Sequence, residues 1–193
     1  MSLRRSGRCW LAFGSICVLI QFAGGLAVAS ESPYTSFEGR EIKALSQDQI
    51  DSLQSGQGMG FALAAELNGY PGPKHVLELR DELGLTDEQM QKCEETFATM
   101  KTSAEELGRG VVEMERALDQ LFASHTIDAE SLAQQVASVA ELQGQLRTVH
   151  LQAHLEMMEI LSDHQIASYI ELRGYQDGEH SGHHPVAGHG GNP

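Results

Sequence analysis

Apolar residues recur every three or four positions along two long stretches of the chain. The first stretch follows Thr86, which forms a capping box with Gln89, and its apolar stripe continues to Leu121. The second runs from about Ala129 to Leu161. Its stripe consists of Leu132, Val136, Val139, Leu142, Leu146, Val149, Ala153, Met157 and Ile160. Because only a few residues separate the two stretches, we predict two long amphipathic helices packed as an antiparallel hairpin.

Shorter helices are predicted on the N-terminal side of this hairpin. A capping box that starts at Ser46 predicts a short helix ending at Gly56. Residues 61–67 are expected to be helical, and Pro73 suits the first position of a further short helix over 74–83. Glycine and proline between these segments keep each helix short.

The C-terminal side of the hairpin carries one more predicted helix and a polar tail. Another capping box opens at Ser162 and predicts a helix to about Arg173. Residues 176–193 are rich in glycine and histidine without apolar periodicity, which is typical of a disordered tail, and residues 30–45 are predicted to be extended. The predicted fold class is therefore all-α, with a helical domain at residues 46–175.

The start of the chain has the pattern of a secretory leader. Three arginines precede an apolar stretch at residues 9–22, and Ala27 and Ala29 supply the small residues that a signal peptidase requires. We therefore predict a signal peptide at residues 1–29, cleaved before Ser30. An uncleaved N-terminal membrane anchor stays open as the alternative, because no charge interrupts the apolar segment. Both alternatives predict that the remainder of the chain is exported.

Composition and charge narrow the classes of function. The 193 residues carry 13 basic and 27 acidic side chains, and this balance argues against nucleic acid as a partner. Aromatic residues make up only 6% of the chain, which disfavours a deep pocket for an organic cofactor. No Ser-His-Asp spacing and no phosphate-binding loop occurs, so we predict that the protein is not an enzyme. Cys93 alone survives leader cleavage and is expected to be a core residue.

Two five-residue motifs carry a resemblance to a known family. Residues 85–89 read LTDEQ and residues 161–165 read LSDHQ, and they resemble the paired LTxxQ boxes of the periplasmic Spy/CpxP proteins. Residues 65–77 resemble the heavy-metal branch of that superfamily, which includes zinc-resistance-associated and nickel–cobalt-sensing proteins. The resemblance covers roughly residues 46–175. It implies a periplasmic helical hairpin that dimerises into a curved cradle.

One face of the second long helix carries candidate metal ligands. His150 and His154 lie one helical turn apart, and Met158 continues the row by another turn. Two imidazoles at this spacing can chelate a divalent transition metal such as zinc, and a thioether beside them favours nickel, cobalt or copper over magnesium or calcium. The nickel–cobalt sensors use similar ligands on comparable helices. The alternative is that both histidines simply pack at a helix interface.

Two ligands leave a metal site incomplete, so further donors are sought elsewhere. We expect Glu66, His75 and Glu78 to supply them if the N-terminal segment folds over the hairpin. The chain differs from the metal sensors in having no paired histidines near the start of the mature protein. Weak capture of zinc, nickel or copper is also expected from the tail histidines His180, His183, His184 and His189.

The resemblance and the histidine row together predict a non-enzymatic periplasmic heavy-metal sensor or resistance protein of the envelope stress response. A thin two-helix core gains from pairing, so we expect a homodimer. Metal binding where the segment meets the hairpin would shift a conformational population that a membrane sensor kinase or another signalling partner reads. Two alternatives stay open: an ATP-independent chaperone that holds unfolded clients, and a CpxP-like adaptor of a membrane sensor kinase.

Overall fold

Six α-helices are present in residues 32–175, the part of the chain that the computed structural model describes. They are α1 (Gln47–Gln54), α2 (Leu63–Glu66), α3 (Pro73–Glu78), α4 (Asp87–Ala123), α5 (Ala129–Ile160) and α6 (Asp163–Leu172). This range contains no β-strand, and the prediction of an all-α fold is confirmed. The predicted signal peptide and the histidine-rich tail lie outside the described residues.

The chain divides into two compact units, Met1–Thr35 and Ser36–Pro193. Of the first unit only residues 32–35 are described, and all four are exposed. A short 3-10 helix, Thr35–Phe37, follows in the chain, and α1 to α6 all belong to the second unit. Within residues 32–175, no helix combines the length and the apolar character that crossing a membrane requires.

The two longest helices, α4 and α5, pack against each other as the predicted antiparallel hairpin. α4 begins with the expected capping box at Thr86, whose hydroxyl accepts from the backbone N–H of Gln89. α5 begins after Asp128, whose carboxylate accepts from the backbone N–H of Ser131 at 2.8 Å. Both caps satisfy N–H groups that a helix start leaves without intrahelical partners. The local signals therefore place the starts of α4 and α5 correctly.

The two five-residue motifs interlock at the end of the hairpin where α4 begins and α5 ends. The Gln89 side-chain amide donates to the Ile160 carbonyl and to Oε1 of Gln165, both at 2.9 Å. The Gln165 amide donates in return to Gln89 Oε1 at 3.0 Å and to the Leu83 carbonyl at 3.3 Å. A glutamate could cap each helix but could not donate across the pair. The motif therefore requires glutamine because it joins two helix starts.

Residues 36–45 pack onto the hairpin, which differs from the extended segment that we predicted. Ile42 is fully buried, and the backbone N–H of Lys43 donates to Asp119 at 3.1 Å. The core cluster around it contains Ile42, Ile50, Leu53, Ala104, Val111, Val112 and Leu146. The segment is drawn in because Ile42 covers apolar surface of the hairpin that would otherwise face water.

A glycine in the middle of α4 allows α1 to lie close to it. A Cβ on Gly108 would stand 2.0 Å from the carbonyl oxygen of Leu53, so no larger residue fits. A glycine at this position therefore allows the close approach of two helices. α1 ends at Gln54, and Gly56, two residues further on, has a φ of 65° and directs the following loop over α4. This loop becomes one wall of the candidate site.

A second core cluster closes the other end of the domain. It contains Val76, Leu83, Cys93, Met157, Leu161 and Tyr169. α3 ends at Glu78 and not near residue 83 as predicted, because turns over residues 79–84 bring Leu83 into this cluster. Cys93 is fully buried there, as expected, and burial raises the pKa of its thiol to about 11.

The end of the hairpin near the α4–α5 connection is less covered than predicted. Leu132 and Val136 belong to the predicted stripe of α5, yet they are 39% and 50% exposed, and Phe122 on α4 is 52% exposed. Among the described residues, the flanking helices pack against other parts of the hairpin. Two helices alone leave one flank of each apolar stripe in contact with water.

Candidate functional site

A cavity of about 500 Å³ lies where the N-terminal helices cross the hairpin, and we name it the junction cavity. Its walls come from the loop between α1 and α2, from α2 and α3, and from the facing sides of α4 and α5. Its metal-binding or charged side chains are Met59, Glu66, Lys74, His75, Met100, Lys101, His150 and His154. The fold thus brings donors from distant parts of the sequence to one place.

Glu66 is a buried carboxylate, only 7% exposed, that ties α2 to α6 and to the residues just after it. Its Oε1 accepts hydrogen bonds from the hydroxyl of Tyr169 at 2.6 Å and from the hydroxyl of Tyr175 at 2.9 Å. The guanidinium of Arg173 lies 3.3 Å from the same oxygen. Oε1 of this carboxylate is therefore heavily engaged, while Oε2 faces His154.

Two histidines flank the carboxylate. Nδ1 of His75 lies 3.3 Å from Glu66 Oε1, and Nδ1 of His154 lies 3.8 Å from Glu66 Oε2. His154 Nδ1 also lies 2.8 Å from the carbonyl oxygen of Tyr70. Because a carbonyl can only accept, Nδ1 carries the proton of this hydrogen bond, and in the neutral form of the ring the lone pair lies on Nε2. Metal-binding histidines are commonly oriented by such a bond.

The electrostatics of the cluster keep Glu66 ionised. Burial by itself raises the pKa of this carboxyl, but the hydrogen bonds from Tyr169 and Tyr175 and the nearby His75 and His154 outweigh it and lower the pKa. The carboxylate is thus negatively charged at neutral pH. A buried anion beside two imidazoles is a typical arrangement at functional sites, although structural networks also produce it.

Gly72 leaves open the space next to both donors. A Cβ at this position would stand 3.1 Å from Glu66 Oε2 and 3.2 Å from His154 Nε2. The φ of Gly72 is −89°, which other residues adopt readily, so space and not backbone freedom distinguishes glycine here. Its N–H donates to the hydroxyl of Tyr169 at 3.3 Å, which fixes the loop against the cluster.

His150 lines the same cavity but has no polar partner at one nitrogen. The side chain is 4% exposed, and its Nε2 is buried without a hydrogen bond. The ring of Phe61 stacks against it, with centroids 5.9 Å apart and planes at 19°. Burial, and to a lesser extent His154, lowers the pKa of His150, so the ring is neutral. A neutral imidazole with a free lone pair is a competent metal ligand.

The structure brings together four of the six candidate ligands in the folded domain: Glu66, His75, His150 and His154. Glu78 does not join them; it is exposed and lies 3.8 Å from Lys74. Met158 is half-buried and does not line the junction cavity. The four tail histidines lie outside the described residues.

No three His, Cys, Asp or Glu side chains within residues 32–175 are grouped closely enough to hold a metal ion. The donors share one cavity, but they are not gathered around a common point. Side chains would have to move to bind an ion here. Glu66 Oε2 and His154 Nε2 are the donor atoms available for it, because neither accepts a hydrogen bond from another described residue.

Sequence reasoning missed the residues that hold Glu66 in place. Tyr169, Arg173 and Tyr175 reach it from more than 100 residues further along the chain, and Tyr70 contributes only its backbone. Periodicity marks Tyr169 as lying on the buried face of α6, but it carries no signal for which carboxylate it meets.

The fold and the interlocked motifs define a class of helical-hairpin proteins, and comparison with known families gives the class a name. The model described as "LTXXQ motif family protein" matches residues 73–173, and the chain belongs to this family. Its members are generally periplasmic and non-enzymatic, of the Spy/CpxP type. No curated protein and no solved structure matches the chain. The matched region starts after Glu66, so it does not distinguish a heavy-metal branch.

Proposed function

We propose that this protein is a periplasmic, non-enzymatic metal-responsive protein that binds a divalent transition metal in the junction cavity. One observation carries the proposal: a buried, ionised Glu66 faces His75 and His154 at 3.3 and 3.8 Å across the contact between the N-terminal helices and the hairpin. The organisation of the cavity around charged and neutral donors favours a binding role over a purely structural one.

The donor set fits zinc, nickel, cobalt or copper(II). Imidazole nitrogen and carboxylate oxygen are common ligands of these ions. Glu66 Oε2 and His154 Nε2 are the first candidates, because Gly72 leaves space beside both. His75 and His150 are the nearest further donors in the cavity. The Tyr70 carbonyl would hold the His154 ring in the required orientation.

Binding at this place has a structural consequence that suits a sensor. A bound dication would supply an electrostatic tie between α2 and α5, which belong to the two parts of the junction. Glu66 would then turn from Tyr169, Tyr175 and Arg173 toward the histidines. The C-terminal end of α6 would lose its contacts with Glu66 in the metal-bound state. A signalling partner would recognise the conformation in which this end is released, and its population would rise with metal.

Titration calorimetry of the full chain tests this function. To remove tail binding, alanine replaces the histidines His180, His183, His184 and His189. Zinc, nickel, cobalt and copper(II) are titrated into protein purified without a metal-affinity resin. We expect one ion per chain, with affinity lowered at least about tenfold by Glu66→Gln and by His154→Ala.

Two further variants sharpen this test. Gly72→Ala should also weaken binding, because its methyl group would occupy the space between the two main donors. His164→Ala is the matched control, since His164 is exposed and lies outside the cavity. Absence of binding in the tail-substituted protein, or equal affinities of all variants and the control, would remove the metal function.

A chaperone function is the second candidate, and the exposed apolar end of the hairpin favours it. Phe122, Leu132 and Val136 are large apolar side chains in this region, and such surface can hold an unfolded client. Suppression of client aggregation in the presence of a chelator should then fall with Phe122→Ser combined with Val136→Ser. Leu155→Ser is the control, because Leu155 is 55% exposed elsewhere on α5.

A further inference from the structure

We infer that the junction cavity contains a binding site for monovalent copper, formed by Nε2 of His150 and the thioethers of Met59 and Met100. The inference rests on the proposed function, because it places a second metal site in the same cavity. The ion at this site is one that the carboxylate and imidazoles around Glu66 would not select. The three side chains come from the α1–α2 loop, α4 and α5, and all of them line the same cavity.

The buried nitrogen of His150 is the first observation behind this site. A polar atom that is buried without a hydrogen bond costs free energy, so such atoms are rare and call for an explanation. His150 is only 4% exposed, its Nε2 lacks a partner, and the ring borders the cavity. A bound cation in the cavity would give this nitrogen the partner that it lacks.

The strained backbone of Met59 is an independent second observation. Met59 has a φ of 43°, in the left-handed region that residues other than glycine seldom adopt, and it stands between Gly58 and Gly60. Backbone strain of this kind costs free energy and is concentrated at functional sites. Here the strained loop holds a flexible thioether, 43% exposed, at the border of the cavity and within reach of solvent.

The donor chemistry selects monovalent copper among the transition metals. Thioether sulfur and imidazole are neutral, and thioethers are soft ligands that favour Cu(I). A neutral donor set leaves the charge of the ion uncompensated. The free-energy cost of burying that charge is far smaller for a monovalent than for a divalent cation. The ammonium of Lys101 also borders the cavity, paired with Glu105, and it adds to the cost for a dication. Zinc and nickel are therefore expected at Glu66 and His154, and Cu(I) at the sulfur-lined wall.

Competition with a chromophoric Cu(I) chelator under anaerobic conditions tests the site. The full chain with the four tail histidines replaced is used, as in the calorimetry. We expect one Cu(I) per chain and a loss of affinity of at least about tenfold in Met59→Leu and in Met100→Leu, since even residues that only orient a ligand change metal affinity by about 10- to 100-fold. Leucine conserves the side-chain volume, so folding should be kept. Met114→Leu, on the same helix but outside the cavity, is the matched control.

The outcomes separate this inference from the proposed function. The copper X-ray absorption spectrum of the Cu(I)-loaded protein should show sulfur ligands. Loss of this sulfur signal in Met59→Leu combined with Met100→Leu, with unchanged zinc affinity, supports the copper site. Zinc or nickel binding without Cu(I) binding, or Cu(I) affinity unaffected by the methionine substitutions, overturns the copper site and leaves the proposed function standing. Failure to bind any of these ions overturns both.

Discussion

Two polar networks cross the hairpin, and they differ in how completely their groups are paired. In the first, the side-chain amides of Gln89 and Gln165 donate to each other and to the Ile160 and Leu83 carbonyls, and both oxygens accept. The second, around Glu66, contains a carboxylate oxygen without a hydrogen bond at normal distance and borders the unpaired Nε2 of His150. A satisfied neutral network stabilises a fold, whereas incompletely paired charged groups beside a cavity are the mark of a binding site.

The location of the two networks fits this division. The glutamine pair lies at helix starts, where backbone groups need partners in any case, and it belongs to the region that matches the family model. Glu66 lies outside that region, on a helix of four residues that is held by side-chain contacts. We therefore expect substitutions in the first network to act on stability and those around the junction cavity to act mainly on binding.

The largest loss of stability is expected from Gln165→Glu. The carboxylate cannot donate the two hydrogen bonds that the Gln165 amide makes to the Leu83 carbonyl and to Gln89 Oε1. It would also place a negative charge against these two oxygens. Leaving buried acceptors unpaired and burying a charge should lower the free energy of unfolding at pH 7 by about 2–4 kcal/mol. Urea unfolding measures the loss, and Gln143→Glu on an exposed position of α5 is the control.

The pH dependence of Gln165→Glu gives a second readout. Burial beside two acceptors would raise the pKa of the introduced carboxyl in the folded state. The loss should therefore shrink as the pH falls below that raised pKa, because the protonated carboxyl is uncharged and can donate one hydrogen bond. A loss that is constant between pH 7 and pH 4 would show that charge and donation are not what the motif requires.

Glu66→Gln should have a smaller effect, which narrows only at a lower pH than the effect of Gln165→Glu does. The substitution removes the negative charge that Tyr169, Tyr175 and Arg173 bind, and hydrogen bonds to charged groups contribute about 1.5–3 kcal/mol. Because glutamine keeps one acceptor oxygen, we expect a loss of about 1–2 kcal/mol at pH 7. Glu78→Gln, whose carboxylate is exposed, is the control.

The folded-state pKa of Glu66 is lowered, and this fixes the direction of the pH effect. Its contribution is fully present above the ordinary glutamate pKa of 4.5 and disappears as the pH falls through the lowered folded value. The difference between wild type and Glu66→Gln should therefore be constant near neutrality and narrow in acid. A difference that widens in acid would contradict the proposed ionised state of Glu66.

Local chemistry explains which parts of the fold could be predicted. The capping boxes at Ser46, Thr86 and Ser162 depend on residues only three positions apart, and all three form as expected. The apolar period correctly gave the buried face of α4 and α5 around Leu146. It could not show that Val136 would be exposed, because a period defines a face but not whether another element covers it.

The candidate site was predictable in part, most directly where helical spacing places two residues on one face. The turn-to-turn spacing of His150 and His154 places both on one face, and the structure puts both in the junction cavity. Glu66, His75 and Glu78 were candidates as ligand-type residues of the N-terminal segment, and Met158 was a candidate by helical spacing. Glu78 and Met158 do not line the cavity, so neither residue type nor spacing alone brings ligands together. The contact of Tyr169 with Glu66 depends on how α6 folds back across the domain, and residues separated by 103 positions carry no local signal for it.

The smallest effect on stability is expected at His150, and it distinguishes a ligand from a core residue. If the histidine is kept for binding, an apolar aromatic ring should serve the fold equally well, because His150→Phe removes an unpaired buried nitrogen and keeps stacking with Phe61. We expect the free energy of unfolding to stay within about 1 kcal/mol of the wild-type value, while Cu(I) affinity is lost. The Gln165→Glu variant should show the reverse pattern. Its free energy of unfolding should fall, while its copper affinity should be retained under conditions where the variant is folded. A strongly destabilised His150→Phe variant would mean that the imidazole is a structural residue, and the contrast between the two networks would no longer separate stability from binding.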